Sequence, residues 1–156
     1  MTTEKKTESY TWFQEGEAGR FYIGRFPFED DLLISMENFA AQHGIKAAWV
    51  RVIGALQSAV IGFYDQEAWE YRAITIKGGL EIINCSGNIS MREGKPKGHL
   101  HITLGDQNGD LKGGHLMEGS RIFAAEFFIQ EIKEVNLQRT YDEQTGLPLW
   151  ERMGGS

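Results

Sequence analysis

The sequence has one cysteine, three prolines and no long run of apolar residues. A lone thiol, Cys85, cannot form an intrachain disulfide, and its apolar neighbours predict a buried, unreactive side chain. No segment approaches the roughly 18 consecutive apolar residues that a membrane-spanning helix needs. The first eight residues are polar and charged and lack the apolar stretch of a secretion signal. We therefore expect a cytoplasmic protein with no membrane partner.

Positive charge is also scarce. The 156 residues include 16 lysines and arginines against 22 acidic residues, which gives a formal net charge of −6. An acidic surface repels phosphate backbones, so the composition does not favour general affinity for nucleic acid. The sequence also lacks the patterns of a serine triad, a catalytic carboxylate pair, a Walker loop or a dinucleotide-binding glycine motif. These absences exclude the most easily recognised enzyme classes.

The chain is long enough for one domain with a substantial core, since 41% of its 156 residues are hydrophobic. No linker, repeat or low-complexity tract divides it. We assign residues 10–150 to a single domain, with flexible tails at residues 1–9 and 151–156. Segments that favour strands predominate, and only one long segment has helical periodicity. The predicted fold is α+β, a strongly bent and mainly antiparallel sheet with one principal helix.

The principal helix is predicted between Pro27 and Gly44. An acidic run at residues 29–31 precedes apolar residues at helical spacing, and Gly44 is a typical stop residue. His43 lies in the last turn, where a cation favours the helix dipole. We interpret His43 as a capping residue and not as a metal ligand.

The remaining segments predict strands separated by turns. We expect two strands flanking a hairpin turn at residues 15–19. Two further strands between residues 47 and 64 are joined by a bend or bulge at Gly54 and Ala55. The later predictions are strands at residues 70–77 and 80–85, a turn at 86–88, a loop at 92–98, a strand at 122–132 and a turn-rich ending at 140–149.

Three histidines form the most informative pattern in the chain. His99 and His101 alternate with apolar residues on one predicted strand, and His115 follows a glycine-rich turn. Strand residues two apart point to the same face, so His99 and His101 share the polar face. This spacing indicates a metal site if His115 reaches the same face.

The position of His115 depends on the turn that precedes it. A three-residue loop at 107–109, with Gly109 in the left-handed conformation, would set His101 opposite His115. Directly opposed Cβ atoms lie about 4.5–5.5 Å apart, so both rings would reach one divalent ion, and zinc is the first expectation. A two-residue turn at 108–109 would instead direct His115 to the other face. The residues alone leave both turns open.

Four other residues are candidates for the same site. Arg92, Lys95 and Lys97 precede the histidine strand and are candidates for binding an anionic small molecule, although such a loop is also typical of a solvated surface. Glu118, three residues beyond His115, is a weak candidate for a general base or for a partner of a metal ligand. Its alternative role is to cap the following turn.

Two segments resemble the plant and prokaryote conserved (PPC) domain. They are GGLEIINCSGNIS at residues 78–90 and GHLHITLGDQNGDLKGGHLMEG at residues 98–119. The predicted helix and the ending at 139–146 are similar to the same family. The resemblance implies an α/β domain with an antiparallel sheet that assembles as a homotrimer. In prokaryotic members it also implies that the three matching histidines bind a metal, usually zinc, and the matching residues here are His99, His101 and His115.

The resemblance further implies a DNA-binding or regulatory function. In land plants the domain is fused to AT-hook motifs centred on Arg-Gly-Arg-Pro, whereas the nearest segment here, Gly-Lys-Pro-Lys at residues 94–97, lacks both arginines. Two functions therefore stay open. One is an interaction module that binds DNA or a regulatory protein, with the metal as a structural clamp. The other is a metal-dependent enzyme or small-molecule-binding protein that acts on an anionic ligand at the fourth coordination position.

Overall fold

The computed structural model describes residues 11–151. The predicted tail at residues 1–9, and all but the first residue of the predicted tail at 151–156, lie outside this range. The described part of the chain contains one helix and eight strands. In chain order they are β1 Glu17–Phe26, α1 Leu32–Gln42, β2 Ala48–Asp65, β3 Glu70–Arg92, β4 Lys95–Gly105, β5 Leu111–Leu116, β6 Arg121–Lys133, β7 Arg139–Tyr141 and β8 Pro148–Trp150.

Six strands form one antiparallel sheet in the order β1-β6-β2-β3-β4-β5. The last strand, β5, also pairs with the second half of β2, where His115 is the partner of Gly62. Strands β2, β3, β4 and β5 therefore close on one another. The short strands β7 and β8 form a separate hairpin. The predicted α+β fold with a strongly bent antiparallel sheet is confirmed.

Strand β2 produces the bend. Its first half pairs with β6 and β3, and its second half pairs with β3 and β5. The register shifts between Val52 and Gly54, where Gly54 has a φ of 134°. A Cβ at position 54 would lie 2.1 Å from the carbonyl oxygen of Ala124, so only glycine lets the two backbones approach this closely. The bend predicted at this position is therefore a bulge within one continuous strand.

The helix begins and ends where the sequence predicts. The Asp31 side chain accepts a hydrogen bond from the backbone N–H of Ile34 at 2.9 Å, which caps the first turn. His43 is the C-terminal cap, and its ring stacks on Phe39. Gly44 follows in the left-handed conformation with a φ of 65°. No helix among residues 11–151 is long and apolar enough to span a membrane.

The helix covers only one face of the sheet. Leu32, Met36 and Ala40 of α1 are fully buried in the core that this face shares with the helix. The other side of β1, β6 and the first half of β2 carries apolar residues that are largely exposed. We call this side the open face and define it by Phe21, Ile23, Trp49, Ile53 and Phe128.

Two predicted turns are in fact strand. No hairpin forms at residues 15–19, because β1 begins at Glu17 and pairs with β6, near the other end of the described chain. Residues 86–88 lie inside β3. A Cβ on Gly87 would lie 2.0 Å from the carbonyl oxygen of His99, so this glycine serves a close approach between β3 and β4 and not a turn.

The predicted loop at residues 92–98 is a tight hairpin instead. Arg92 of β3 pairs directly with Lys95 of β4. The two residues between them, Glu93 and Gly94, both have positive φ, 51° and 75°. This is the conformation that matches the twist of two antiparallel strands, so the strands continue to the turn.

Candidate metal and ligand site

Two strands bring three imidazoles together. His99 and His101 lie on the same side of β4, and His101 is the direct partner of His115 on β5. The ring centroids are 5.4 Å apart for His99 and His101, 5.2 Å for His99 and His115, and 5.8 Å for His101 and His115. One ring nitrogen of each residue lies within 4.8 Å of the other two. We call this group the histidine cluster.

The turn between β4 and β5 determines this arrangement. The backbone N–H of Asp106 donates to the carbonyl of Asp110 at 3.0 Å, and Gly109 donates back to Asp106 at 2.9 Å. Gly109 has a φ of 82°. The loop therefore has three residues, and His115 falls on the same face as His99 and His101, not on the opposite face that a two-residue turn would give.

The surroundings keep two of the imidazoles neutral. Burial, together with the nearby positive charge of Arg139, lowers the pKa of His99 to about 4. Burial also lowers the pKa of His115 below its ordinary value, with His101 as a second cause. Neutral imidazole is the form that offers a lone pair to a metal ion.

The donor set fits a divalent metal ion such as zinc. Three imidazole nitrogens are a common ligand set for zinc sites that keep an open position. In addition, Nδ1 of His115 is buried and has no hydrogen-bond partner among the described residues. A buried polar atom without a partner is unfavourable. A cation bound to Nδ1, in the tautomer that leaves the lone pair of this nitrogen free, would satisfy it.

The histidine cluster opens into a cavity of about 730 Å³. Aromatic side chains from β2, from β3 and from the turn between them line one wall, namely Tyr64, Tyr71 and Trp69. The Tyr71 ring lies 5.0 Å from the His115 ring. A Cβ at Gly62 would lie 2.9 Å from this ring, so the glycine gives Tyr71 the room to lie across β2 toward the histidine.

The β7–β8 hairpin closes another side of the cavity. Residues 146–149 of this hairpin line the wall. The hydroxyl of Tyr64 donates to the carbonyl of Thr145 at 2.7 Å, and Gly146 packs directly against Tyr64 and Trp69. The hairpin is thus fastened to the end of β2 and to the turn that follows it.

The hairpin also places Arg139 in the cavity wall. The sequence pattern did not indicate this residue as part of the site. Its Nε donates to Ser90 Oγ at 2.7 Å, and its Nη1 donates to the carbonyl of Pro148 at 2.9 Å. Its Nη2 donates to Asn88 Oδ1 at 2.9 Å and to His99 Nδ1 at 3.3 Å. The only signal in the sequence was the family-like ending at residues 139–146, which gave no hint of its position beside His99.

The other predicted site residues are divided. Arg92 and Lys97 line the cavity, and the Lys97 ammonium lies 2.7 Å from a carboxylate oxygen of Glu37. Lys95 does not line the cavity, although strand alternation puts it on the same side of β4 as Lys97 and His99. It lies beside the turn, at the end of β4 away from the histidines. Glu118 is exposed and is also outside the lining. Its role as a general base stays a prediction from the sequence.

The profile of one protein family matches most of the chain. The family is described as the Plants and Prokaryotes Conserved (PCC) domain, and the match covers residues 13–133. It includes all three histidines of the cluster. The β7–β8 hairpin with Arg139 lies beyond the matched range.

Solved structures of similar proteins have the same fold. A plant- and prokaryote-conserved protein from Pyrococcus horikoshii is 37% identical with a TM-score of 0.86, and 92% of this chain aligns with 99% of that one. A metal-containing protein from Archaeoglobus fulgidus is 40% identical with a TM-score of 0.85 and the same coverage. A protein from Bacteroides thetaiotaomicron, described as a candidate DNA-binding protein, is 25% identical with a TM-score of 0.79, covering 88% of this chain and 97% of the other.

A curated relative matches over part of its length. It is the bifunctional protein GlmU of Synechococcus sp. (strain JA-3-3Ab), which is 33% identical over 130 residues. The match covers 81% of this chain and 20% of the relative. The chain therefore spans about a fifth of the curated relatives that it matches.

Proposed function

Because the chain belongs to the Plants and Prokaryotes Conserved domain family, and because its histidine cluster opens into a cavity, we propose that it is a metal-dependent small-molecule-binding protein or enzyme. In this proposal His99, His101 and His115 bind one divalent ion, with zinc as the first candidate. The bound ion and the cavity wall together hold an anionic small molecule.

One observation supports the metal centre above all others. A ring nitrogen from each of three histidines lies within 4.8 Å of the other two, at the base of a cavity of about 730 Å³. A divalent ion held by three imidazoles keeps an open coordination position and acts there as a Lewis acid. The similar protein from Archaeoglobus fulgidus is described as metal-containing, which favours the same interpretation.

The charges of the cavity favour an anionic ligand. Arg92, Lys97 and Arg139 line it, and Glu70 is the one acidic residue in its described lining. Lys97 is already paired with Glu37, and Arg92 Nε lies 3.7 Å from a carboxylate oxygen of Glu93. Arg139 has no carboxylate partner among residues 11–151, so it is the strongest candidate for binding an anion. Residues such as these would bind and orient the ligand beside the metal.

The metal centre is tested by zinc content. Purified protein is loaded with zinc, dialysed and measured by elemental analysis, and we expect about one zinc ion per chain. His101→Ala should lose the ion. His43→Ala is the matched control, because His43 caps the helix away from the cluster and should leave zinc content unchanged. A wild-type protein without zinc, or a His101→Ala variant that retains it, would contradict the proposal.

DNA binding or a regulatory partner is the second candidate function. The description of the similar protein from Bacteroides thetaiotaomicron favours it. The formal net charge of −6 works against it, because phosphate contacts by cations supply most of the affinity for duplex DNA. Fluorescence anisotropy with a labelled duplex at about 150 mM salt tests it. Tight binding that resists added salt would favour this function, and weak binding unchanged in His101→Ala would favour the small-molecule site.

We also propose a homotrimer, which the family resemblance implies. The open face supports it, since five large apolar side chains lie there with at least 36% of their surface exposed. Phe128→Glu should reduce the mass measured by light scattering to that of a smaller species. Ile74→Glu is the control. Ile74 is half exposed, but it pairs with the buried Ile61, so it lies on the side of the sheet opposite the open face.

A further inference from the structure

We infer that Arg139 is the anion anchor of the cavity. When a divalent cation occupies the histidine cluster, the Arg139 guanidinium leaves His99 and binds an oxyanion of the ligand. The ligand class is a carboxylate or phosphate on a planar apolar skeleton. This inference rests on the proposed metal centre and adds to it a named residue, a ligand class and a dependence of anion binding on the metal.

The charge of Arg139 is not matched by a carboxylate in the described part of the chain. Its four hydrogen-bond acceptors are a hydroxyl, a backbone carbonyl, an amide oxygen and an imidazole nitrogen, and all of them are neutral. No salt bridge of residues 11–151 includes it. Guanidinium remains charged in proteins, and it pairs most strongly with a planar oxyanion. The site therefore holds a cation that is positioned but not neutralised.

The bond from Arg139 to His99 cannot coexist with metal binding by His99. A guanidinium N–H only donates, so Nδ1 of His99 must accept with its lone pair. A neutral imidazole in that state carries its proton on the other ring nitrogen and has no second lone pair to offer. Binding of a metal by either nitrogen requires Arg139 to release the ring. An Nη2 donor of Arg139 then becomes available beside the ion.

Metal binding also changes the charge of the cavity. A divalent ion in the histidine cluster would bring three positive charges together at the Arg139 end, and Arg92 adds another on the wall. The ion and the two guanidinium groups would repel one another, and an anion bound between them would offset that repulsion. The ion and the anion should therefore strengthen each other's binding, as reciprocal coupling between two sites requires.

The wall facing these cations determines the rest of the ligand. Trp69 and Tyr71 lie on one side, and 48% and 38% of their respective surfaces are exposed. Leu147 and Pro148 of the β7–β8 hairpin lie on another side. A cavity of about 730 Å³ is within the usual range of about 300–1,000 Å³ for small-molecule sites. A flat apolar body fits between these surfaces.

Calorimetric titration of the zinc-loaded and zinc-free protein tests the inference. The probes are benzoate, phenyl phosphate, the neutral analogue benzamide, and inorganic phosphate. We expect the zinc-loaded protein to bind benzoate or phenyl phosphate at least about tenfold more tightly than benzamide, and more tightly than the zinc-free protein does, because a charge-assisted hydrogen bond is gained. Comparison of benzoate with phenyl phosphate identifies the preferred oxyanion, and comparison with inorganic phosphate measures the contribution of the apolar body.

Variants of Arg139 show whether this residue is the anchor. Arg139→Gln should lose at least about tenfold in affinity for the better anionic probe. Its zinc affinity without the probe should be equal or higher, because the competitor for His99 is gone. Arg139→Lys retains the charge but loses the planar fork, and we expect an intermediate affinity. Arg121→Gln is the matched control, since Arg121 is exposed, pairs with Glu29 and does not line the cavity.

The possible outcomes separate the two proposals. A wild-type protein that does not bind zinc overturns the metal centre and the anion anchor together. A zinc-loaded protein that does not distinguish the anions from benzamide, or an Arg139→Gln variant that binds them like wild type, overturns only the anchor. If thermal unfolding shows that Arg139→Gln is not folded, the titration of Arg139→Lys decides. Wild-type affinity for the anionic probe in Arg139→Lys would overturn the role of the planar guanidinium fork.

Discussion

His101 and His115 are direct partners across the β4–β5 ladder, and their ring centroids lie 5.8 Å apart. On its other side, His115 pairs with Gly62 of β2, which has no side chain to fill the cavity. The two imidazoles are therefore held by three paired strands. A site built on paired strands is better ordered than one built on loops.

This relationship predicts that the two histidines act as a unit in metal binding. His115→Ala and His101→Ala should each weaken zinc binding by at least about 100-fold, because even the outer partners of a metal ligand are worth about 10–100-fold. The double variant should be little worse than either single variant, since the first loss already destroys the site. Competition with a chromogenic chelator measures all three affinities. Strictly additive losses would show that the two rings do not share one ion.

The bulge at Gly54 predicts a strong effect of a single methyl group. Gly54→Ala should lower the free energy of unfolding by about 2 kcal/mol or more, because the residue has a φ of 134° and its Cβ would lie 2.1 Å from Ala124 O. Gly79→Ala is the control, since nothing lies within 4 Å of a Cβ there, and its effect should stay within about 0.5 kcal/mol. Urea unfolding measures both. Equal effects would show that the bulge does not need glycine.

The ion pair of Arg20 and Glu131 predicts how stability depends on pH. Hydrogen bonds from the Arg20 side chain hold the pKa of Glu131 at about 2, below its ordinary value of 4.5. Because the folded pKa is the lower one, the pair stabilises the fold above about pH 4.5, and this contribution is lost as the pH falls toward 2.

Glu131→Gln should therefore be less stable than wild type at pH 7 by about 1 kcal/mol, a modest figure because Arg20 is half exposed and screened by solvent. The difference should shrink as the pH is lowered through this range. Glu143→Gln is the control, since Glu143 is exposed in the β7–β8 turn. Urea unfolding across a pH series measures it, and a difference that does not change with pH would contradict the assignment.

The N-terminal cap of the helix predicts a selective loss at Asp31. One carboxylate oxygen accepts from Ile34 N at 2.9 Å, and the other accepts from Gly119 N in the β5–β6 turn at 2.6 Å. Asp31→Ala should lower the free energy of unfolding by about 1–2 kcal/mol. Asp30→Ala should have little effect, because the Asp30 side chain is exposed. If the neighbouring substitution were equally costly, the loss would reflect general negative charge and not the cap.

Local signals in the sequence predicted the parts whose partners are close along the chain. The helix was correct at both ends because a cap is a contact between residues three apart, here Asp31 and Ile34, and because Gly44 follows the last turn. The β4–β5 hairpin was predicted too, with its turn left open between three residues and two, and the structure has the three-residue loop. Its loop is short, and Gly109 adopts the left-handed conformation that glycine permits at little cost.

Glycines inside strands were the main source of error. Gly87 was predicted in a turn, yet it lies in β3, where a Cβ would lie 2.0 Å from His99 O. The same residue type serves a turn and a close backbone approach, and only the position of the neighbouring strand distinguishes the two. For the same reason the hairpin predicted at residues 15–19 was wrong, since the partner of β1 is β6.

The sequence by itself determined the helix, the alternation of the histidine strand and, with Gly109, a turn that can bring His115 to the same face. These depend on residues within a few positions of one another, and their energies are local. Only the tertiary structure decided that Arg139 lies against His99, that Tyr71 lies beside His115 and that Lys95 is outside the cavity. These positions depend on residues that are distant in the chain. They arise from the bend of β2 and the docking of the β7–β8 hairpin, which no local pattern encodes.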